Sequence, residues 1–344
     1  MITDRYYYST LSLEEKKAYK SLYLAMVAYE KAVVIQKPLI KKIDVQKVIF
    51  SVNMDHPLLF YVDFGNLRYS VRTSVISFEI EYYFRKEDAL TLQTEIRKVL
   101  SKILGKITGR NAYEVVCSAH DVLARNVLYD TKALQNIQSV LLRSNTILGV
   151  LFYKTAVCEG IAKTFKYILN MRDIPCIVAV GRASDTKQNP DASELHAWNL
   201  VRVDGKNFGV DVTWDINLSQ KQLLRHDYLF LSDSMMQRDH HSTVAAPHCV
   251  TEGQDFFSQN GLTFRTEKQL FDHLADRLRS GNQTAEFRFL VETADPYRAV
   301  CDTVARAIAQ SFHFQSRISY SVMYNRSQDV FGVGWWSGCV LKGE

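Results

Sequence analysis

The apolar positions of this chain recur with helical spacing in some stretches and alternate with polar ones in others, and these changes of period mark its elements. The pair Ser12 and Glu15 forms a capping-box pattern ahead of "KKAYKSLYLAMVAYEKAV", which predicts a helix. A second helix is expected near 43–53, leading into "HPLLFYVDF". The stretch "NLRYSVRTSVISFEIEYYF" is rich in β-branched and aromatic residues with rough period-two alternation, which predicts paired strands. "KEDALTLQTEIRKVLSKILGKI" then reads as a long amphipathic helix. Thr108-Gly109 breaks the pattern. Asn111, with Glu114 three residues on, opens a further helix whose expected apolar stripe is Val115, Ala119 and Val122.

Beyond this point lies "TAVCEGIAKTFKYILNMRDIPC", where Ile161, Phe165, Ile168 and Leu169 fall on one helical stripe. The helix is expected to end near Met171–Asp173, before Pro175, which puts Cys158 in its first turn. Backbone N–H groups without partners and the positive end of the dipole favour an anion there, and the thiolate is the nucleophilic form of cysteine. The same N–H groups suit an oxyanion beside the attacking sulfur. Gly160 leaves room for a close approach by another segment. A lone cysteine is nevertheless most often a small buried hydrophobe, and Cys117, Cys176 and Cys301 are explained that way.

Two alternating runs in "LHAWNLVRVDGKNFGVDVTWD" flank Asp204-Gly205, a dipeptide suited to a two-residue type I′ turn. Counting back from that turn pairs Val203 with Lys206, Trp198 with Asp211 and His196 with Thr213. His196 and Asp211 then share a sheet face as diagonal neighbours. A carboxylate beside an imidazole fixes its tautomer and supports the imidazolium that pairs with a thiolate. A buried histidine tied to a structural aspartate is the alternative. Trp198 shares the face of His196 and is a candidate for lining a cleft.

The C-terminal part follows "EGQDFFSQNG", which reads as a linker. It is expected to form a helix capped by Thr266, a strand at "EFRFLV", a helix capped by Asp295 with Pro296 at its first position, and a hairpin through "RISYSVMYNRSQDVFGVGWW". The expected organisation is an N-terminal helical and hairpin region at 1–107, a core at 108–250 and a small α+β unit at 251–344.

Composition narrows the chemistry. The 344 residues are 47% hydrophobic and 23% charged, as in ordinary globular proteins, with a formal net charge of only +5. There is no basic stripe interleaved with aromatics, so nucleic acid is not an expected partner. No run of 18 or more apolar residues suggests a membrane span. The start "MITDRYYYST" does not have the pattern of a secretory leader, and six scattered cysteines suit a reducing compartment. The expected location is therefore cytoplasmic. "DHHSTVAAPHC" gathers His240, His241, His248 and Cys249, but the spacing matches no common zinc pattern, so no metal is expected there. His120-Asp121 lies on a helix where adjacent residues do not face each other, which suggests a surface or packing role.

"AVCEGIAKTFKYILNMRDIPCIVAVG" followed by "HAWNLVRVDGKNFGVDVTWD" resembles the bacterial branch of the transglutaminase-like superfamily. The family pattern runs V-C-E-G-x-A, H-A-W-N-x-V, then D-x-T-W-D. Its flanks agree with "AHDVLARNVLYD" and "HDYLFLSDSMMQRDH", so the resemblance covers about residues 110–241. One departure is Ile161, where an aromatic is common. The resemblance implies an α+β, papain-like core with the cysteine helix packed on an antiparallel sheet. It also implies that Cys158, His196 and Asp211 are nucleophile, base and orienting acid. The implied chemistry is thiol attack on an amide carbonyl of a protein or peptide substrate, with no cofactor, followed by transfer of the acyl group to water or to an amine. A non-catalytic peptide-binding module is the rival from another class.

Overall fold

A computed structural model describes residues 5–37, 42–135, 142–184, 193–312 and 318–337. The fold is α+β, and the chain divides into two compact units. One contains residues 1–180 and 196–205, the other 181–195 and 206–344.

The first unit begins with α1 (Tyr6–Thr10) and α2 (Leu13–Ala28), where Ser12 and Glu15 form the expected capping box. This helix stops earlier than its apolar pattern suggests, because Tyr29 turns left-handed at φ 63° and β1 (Ala32–Gln36) follows. After α3 (Val45–Asp55) come β2 (Arg68–Val71) and β3 (Val75–Glu79), and the three strands form a sheet in the order β1-β3-β2. The hairpin was legible in the sequence. Strand β1 was not, since its partner lies more than forty residues on, with Ile35 opposite Ile76.

Helices α4 (Lys86–Leu104) and α5 (Ala112–Asn126) follow, the latter capped by the Asn111 side chain as expected. Ala119 is buried as expected, whereas Val115 and Val122 are only half-buried. Val116, Ala119, His120 and Leu123 point inward, and His120 Nδ1 lies 3.1 Å from Asp121 Oδ1. Neighbouring side chains on a helix do meet here, because the short aspartate bends back to a ring that is completely buried. Short strands β4 (Leu128–Tyr129) and β5 (Thr155–Ala156) pair in parallel, and a π-helical turn at Gly149–Tyr153 leads into β5.

The first unit carries most of β6 (Cys176–Ala183) and β7 (Glu194–Val203); in the second, β8 (Lys206–Val210) pairs with β9 (Leu229–Leu231) and β10 (His240–Ser242) pairs with the end of β6, His240 opposite Ala183. Asp204 and Gly205 both have positive φ, 49° and 76°, as a type I′ turn requires.

The second unit also holds the expected C-terminal elements. Helix α8 (Glu267–Arg279) is capped by Thr266 and α9 (Pro296–Ser311) by Asp295. They cover a sheet with the order β11-β12-β14-β13, formed by Thr263–Phe264, Thr284–Phe289, Val330–Ser337 and Ile318–Asn325. Leu270, Leu274 and Leu278 from α8 and Val300 and Val304 from α9 pack with Phe287 and Phe331 of the sheet. That burial is the main stabilising contribution to this layer. Among the described residues, no helix is long and apolar enough to cross a membrane.

Candidate active site

The Cys158–Asn170 helix, α6, begins at the predicted cysteine. Val157 caps it in an extended conformation, without a side-chain hydrogen bond to the first turn. Cys158 is half-buried, whereas Ile161, Phe165, Ile168 and Leu169 are fully buried as expected. The helix is more enclosed than one stripe implies, because Lys163 and Lys166 are also buried. Both ammonium groups are satisfied. Lys163 Nζ donates to Glu159 Oε1 at 2.7 Å and to Asn53 Oδ1 at 2.8 Å, and Lys166 Nζ donates to the Cys176 carbonyl at 3.0 Å. Burying a lysine costs stability unless its donors find such acceptors.

Gly160 allows the close approach anticipated for it. A Cβ there would lie 2.2 Å from the Ser144 carbonyl oxygen and 2.9 Å from that of Thr146, both backbone atoms. The segment before the π-helical turn is thereby pressed against the first turn of the cysteine helix, within one unit.

His196 lies on β7 in this same unit. Its ring is buried and runs nearly parallel to that of Trp198, with centroids 6.1 Å apart, so the two do share a face. Asn199 fixes the strand to the cysteine helix. Its amide donates to the Ala162 carbonyl at 2.9 Å and to the Ile177 carbonyl at 3.1 Å. Helix, β6 and β7 are thus joined by one buried side chain.

Asp211 belongs to the second unit. Strand β8 ends at Val210, and Asp211 caps a helix at Val212–Leu218, α7, by accepting from the N–H of Thr213 at 2.9 Å and of Trp214 at 3.1 Å. The expected pairing of His196 with Thr213 is therefore overturned, because Thr213 is helical. An extended aspartate whose side chain accepts from the N–H groups two and three residues on starts a helix.

The structure also gives Asp211 a partner that the sequence reading passed over. Its Oδ2 lies 3.0 Å from His240 Nε2, and His240 Nδ1 lies 2.6 Å from Asp239 Oδ1. Asp239 Oδ2 accepts from the Tyr228 hydroxyl at 2.7 Å and from Gln328 Nε2 at 3.1 Å. All of these side chains are buried. Burial favours a neutral His240 ring, but the hydrogen bonds and charges of Asp211 and Asp239 outweigh it and hold its pKa above the ordinary histidine value. The signal available in sequence was only "DHH", because the two partners of His240 are 29 and one residues away. The cluster of "DHHSTVAAPHC" comes apart accordingly: His241 and His248 are exposed, His248 Nδ1 lies 3.1 Å from Asp233 Oδ2, and Cys249 is buried.

The cysteines differ sharply in environment. Burial pushes the Cys117 and Cys249 thiols up to about 12, and Cys176 is buried on β6.

No curated protein matches the chain. Three solved structures are similar in part. One, described as a TGase, is 15% identical, with the alignment covering 53% of this chain and 50% of that one at a TM-score of 0.30. A second, described as a candidate cysteine protease of Cytophaga hutchinsonii, is 17% identical over 42% of this chain and 55% of that one, with a TM-score of 0.27. A third, described as a candidate protease of Parabacteroides distasonis, is 14% identical over 42% of this chain and 35% of that one, with a TM-score of 0.25. The chain thus spans about half the length of the first two and about a third of the last. Residues 102–212, which include Cys158, His196 and Asp211, match the model of the transglutaminase-like superfamily.

Proposed function

We propose that this protein is a thiol enzyme that cleaves or exchanges amide bonds, with Cys158 as nucleophile, His196 as base and Asp211 as the acid that orients it. The observation that carries the reading is the superfamily match over 102–212, a segment that contains all three residues in the expected order. The position of Cys158 in the first turn supports it, since the Val157 side chain accepts nothing from that turn and N–H groups at a helix start suit an oxyanion. The tie through Asn199 supports it as well, because it holds the base-bearing strand to the nucleophile's helix.

The thiolate of Cys158 adds to the amide carbonyl and forms a carbon–sulfur bond. The tetrahedral intermediate collapses by breaking the carbon–nitrogen bond, and the leaving amine takes a proton from the His196 imidazolium. A thioester remains on Cys158. Water, deprotonated by His196, then attacks the thioester, releasing an acid and the free thiol. An amine attacking at that stage gives transfer in place of hydrolysis. Hydrolysis is the favoured outcome, because water is always present and transfer needs an amine site that excludes it.

Supplying a glutamine-bearing protein together with a fluorescent primary amine separates the two outcomes. Acid formed without incorporated label is expected. Label fixed to the protein would assign transfer, and either product formed by Cys158→Ala as fast as by wild type would contradict the thiol mechanism.

A further inference from the structure

The chain of buried hydrogen bonds that begins at Asp211 continues past the three residues assigned above. His240 presents one ring nitrogen to Asp211 Oδ2 at 3.0 Å and the other to Asp239 Oδ1 at 2.6 Å. A neutral imidazole has only one N–H and would turn a lone pair towards one of these carboxylates. An imidazolium donates to both. The outer carboxylate is fixed in turn: Tyr228 Oη and Gln328 Nε2 donate to its second oxygen, and Asn325 Nδ2 donates to Tyr228 Oη at 3.2 Å. Asn325 and Gln328 belong to the β13–β14 turn, so the C-terminal sheet builds the far end of this chain. Trp214 packs over the His240 ring with centroids 4.5 Å apart and closes it from water.

We propose that His240, clamped between Asp211 and Asp239, is a positioning residue that holds the Asp211 carboxylate ionised and in one orientation. The inference rests on the reading of Asp211 as the acid that orients His196. Oδ1 of Asp211 is committed to the N–H groups of Thr213 and Trp214, and the clamp on Oδ2 removes the remaining freedom of rotation about its side chain. Among the described residues of this unit, the charged and titratable groups that face His240 include Asp211 at the start of α7, Asp239 beside it, and Tyr228, whose ring lies 5.4 Å from the imidazole and whose hydroxyl donates to Asp239.

The test is the rate of Cys158 alkylation by iodoacetamide, read by peptide mass spectrometry at pH 6 and pH 9. Wild type would be compared with His240→Ala, His240→Gln and His196→Ala. At pH 6 the reactive thiolate depends on the His196 ion pair, so His240→Ala should slow alkylation about tenfold, the scale seen when outer partners of a working side chain are removed. At pH 9 an ordinary thiol is largely ionised, and the variant should match wild type. Glutamine can donate to Asp211, so His240→Gln should recover part of the loss. Equal rates for His240→Ala and wild type at pH 6, with His196→Ala slowed, would overturn this proposal alone. If His196→Ala is not slowed either, the assigned base is wrong and this inference falls with it. An equal change at both pH values would mark a structural defect and also overturn it. Imidazole ¹⁵N spectra of the folded wild type give an independent check: His240 must show both nitrogens protonated at pH 6, and a singly protonated ring would refute the clamp.

Discussion

Each unit of this protein holds a histidine beside a buried aspartate, half-buried in one case and fully buried in the other, and the two pairs are treated in opposite ways. In the first unit, the Tyr19 hydroxyl lies 3.0 Å from Asp55 Oδ2 and 2.8 Å from His56 Nε2, and Tyr23 stacks on the imidazole at 4.1 Å. The hydroxyl stands between ring and carboxylate. Burial therefore dominates, lowering His56 to about 4 and raising Asp55 to about 6. Arg5 and Lys166 add to the lowering of His56. In the second unit, two carboxylates bond the His240 ring directly and overcome a burial that is at least as complete. One hydroxyl interposed between ring and acid leaves the imidazole neutral, whereas two direct carboxylates keep it charged. Burial alone does not decide the charge of a histidine; the identity of its first neighbours does.

The largest effect expected from breaking this contrast is at Asp239. Asp239→Ala leaves the buried His240 with one acid and strips Tyr228 and Gln328 of their acceptor. It should cost about 3–5 kcal/mol in urea unfolding, the range for removing one partner of a buried ion pair. A loss below about 1 kcal/mol, the scale of an exposed pair, would show that the clamp is not charged. In the Tyr19 network, Tyr19→Phe removes the bridge between a half-buried ring and a buried carboxylate. Its expected cost is smaller, about 1–3 kcal/mol.

Opposite pH dependences sharpen the comparison further. The folded-state pKa of His240 is raised, so its contribution is complete below the unfolded value of about 6.5 and is lost as pH rises through the folded one. The stability deficit of His240→Gln relative to wild type should therefore be greatest near pH 6 and shrink towards pH 9. His56 is lowered from 6.5 to about 4, so its contribution is present above 6.5 and is lost as pH falls through 4. The deficit of His56→Gln should shrink in the acid direction instead. Denaturant midpoints for both variants across these windows check the signs, and deficits running the same way would contradict the assignment of charge.

What could be read from the sequence was governed by the range of the interactions involved. Ser12 with Glu15, Asn111 with Glu114, Thr266 with Gln269 and Asp295 with Arg298 are caps closed within four residues, and each helix starts where its cap predicts. The helix of Cys158 was equally legible, because a steady apolar stripe and Pro175 bound it. The α+β class and the resemblance over the core hold, with the superfamily match covering 102–212. The rest depended on distant partners. Strand β1 needs β3, and the role of His240 needs Asp211, 29 residues earlier. Asp211 itself was placed on an extended strand because its neighbours alternate. The alternation of "GVDVTWD" is real, but the N–H groups of Thr213 and Trp214 donate to that aspartate and make it a helix cap.

The central claim is that Cys158 carries the acyl group and that His196 activates it. Brief exposure to p-nitrophenyl acetate at neutral pH, an acid quench and peptide mapping would test it directly. An acetyl group is predicted on Cys158, formed far more slowly in His196→Ala, while Cys117 and Cys249, with thiols raised to about 12, stay unmodified. Acetyl spread over the cysteines alike, or on Cys158 at the same rate without His196, would contradict the account.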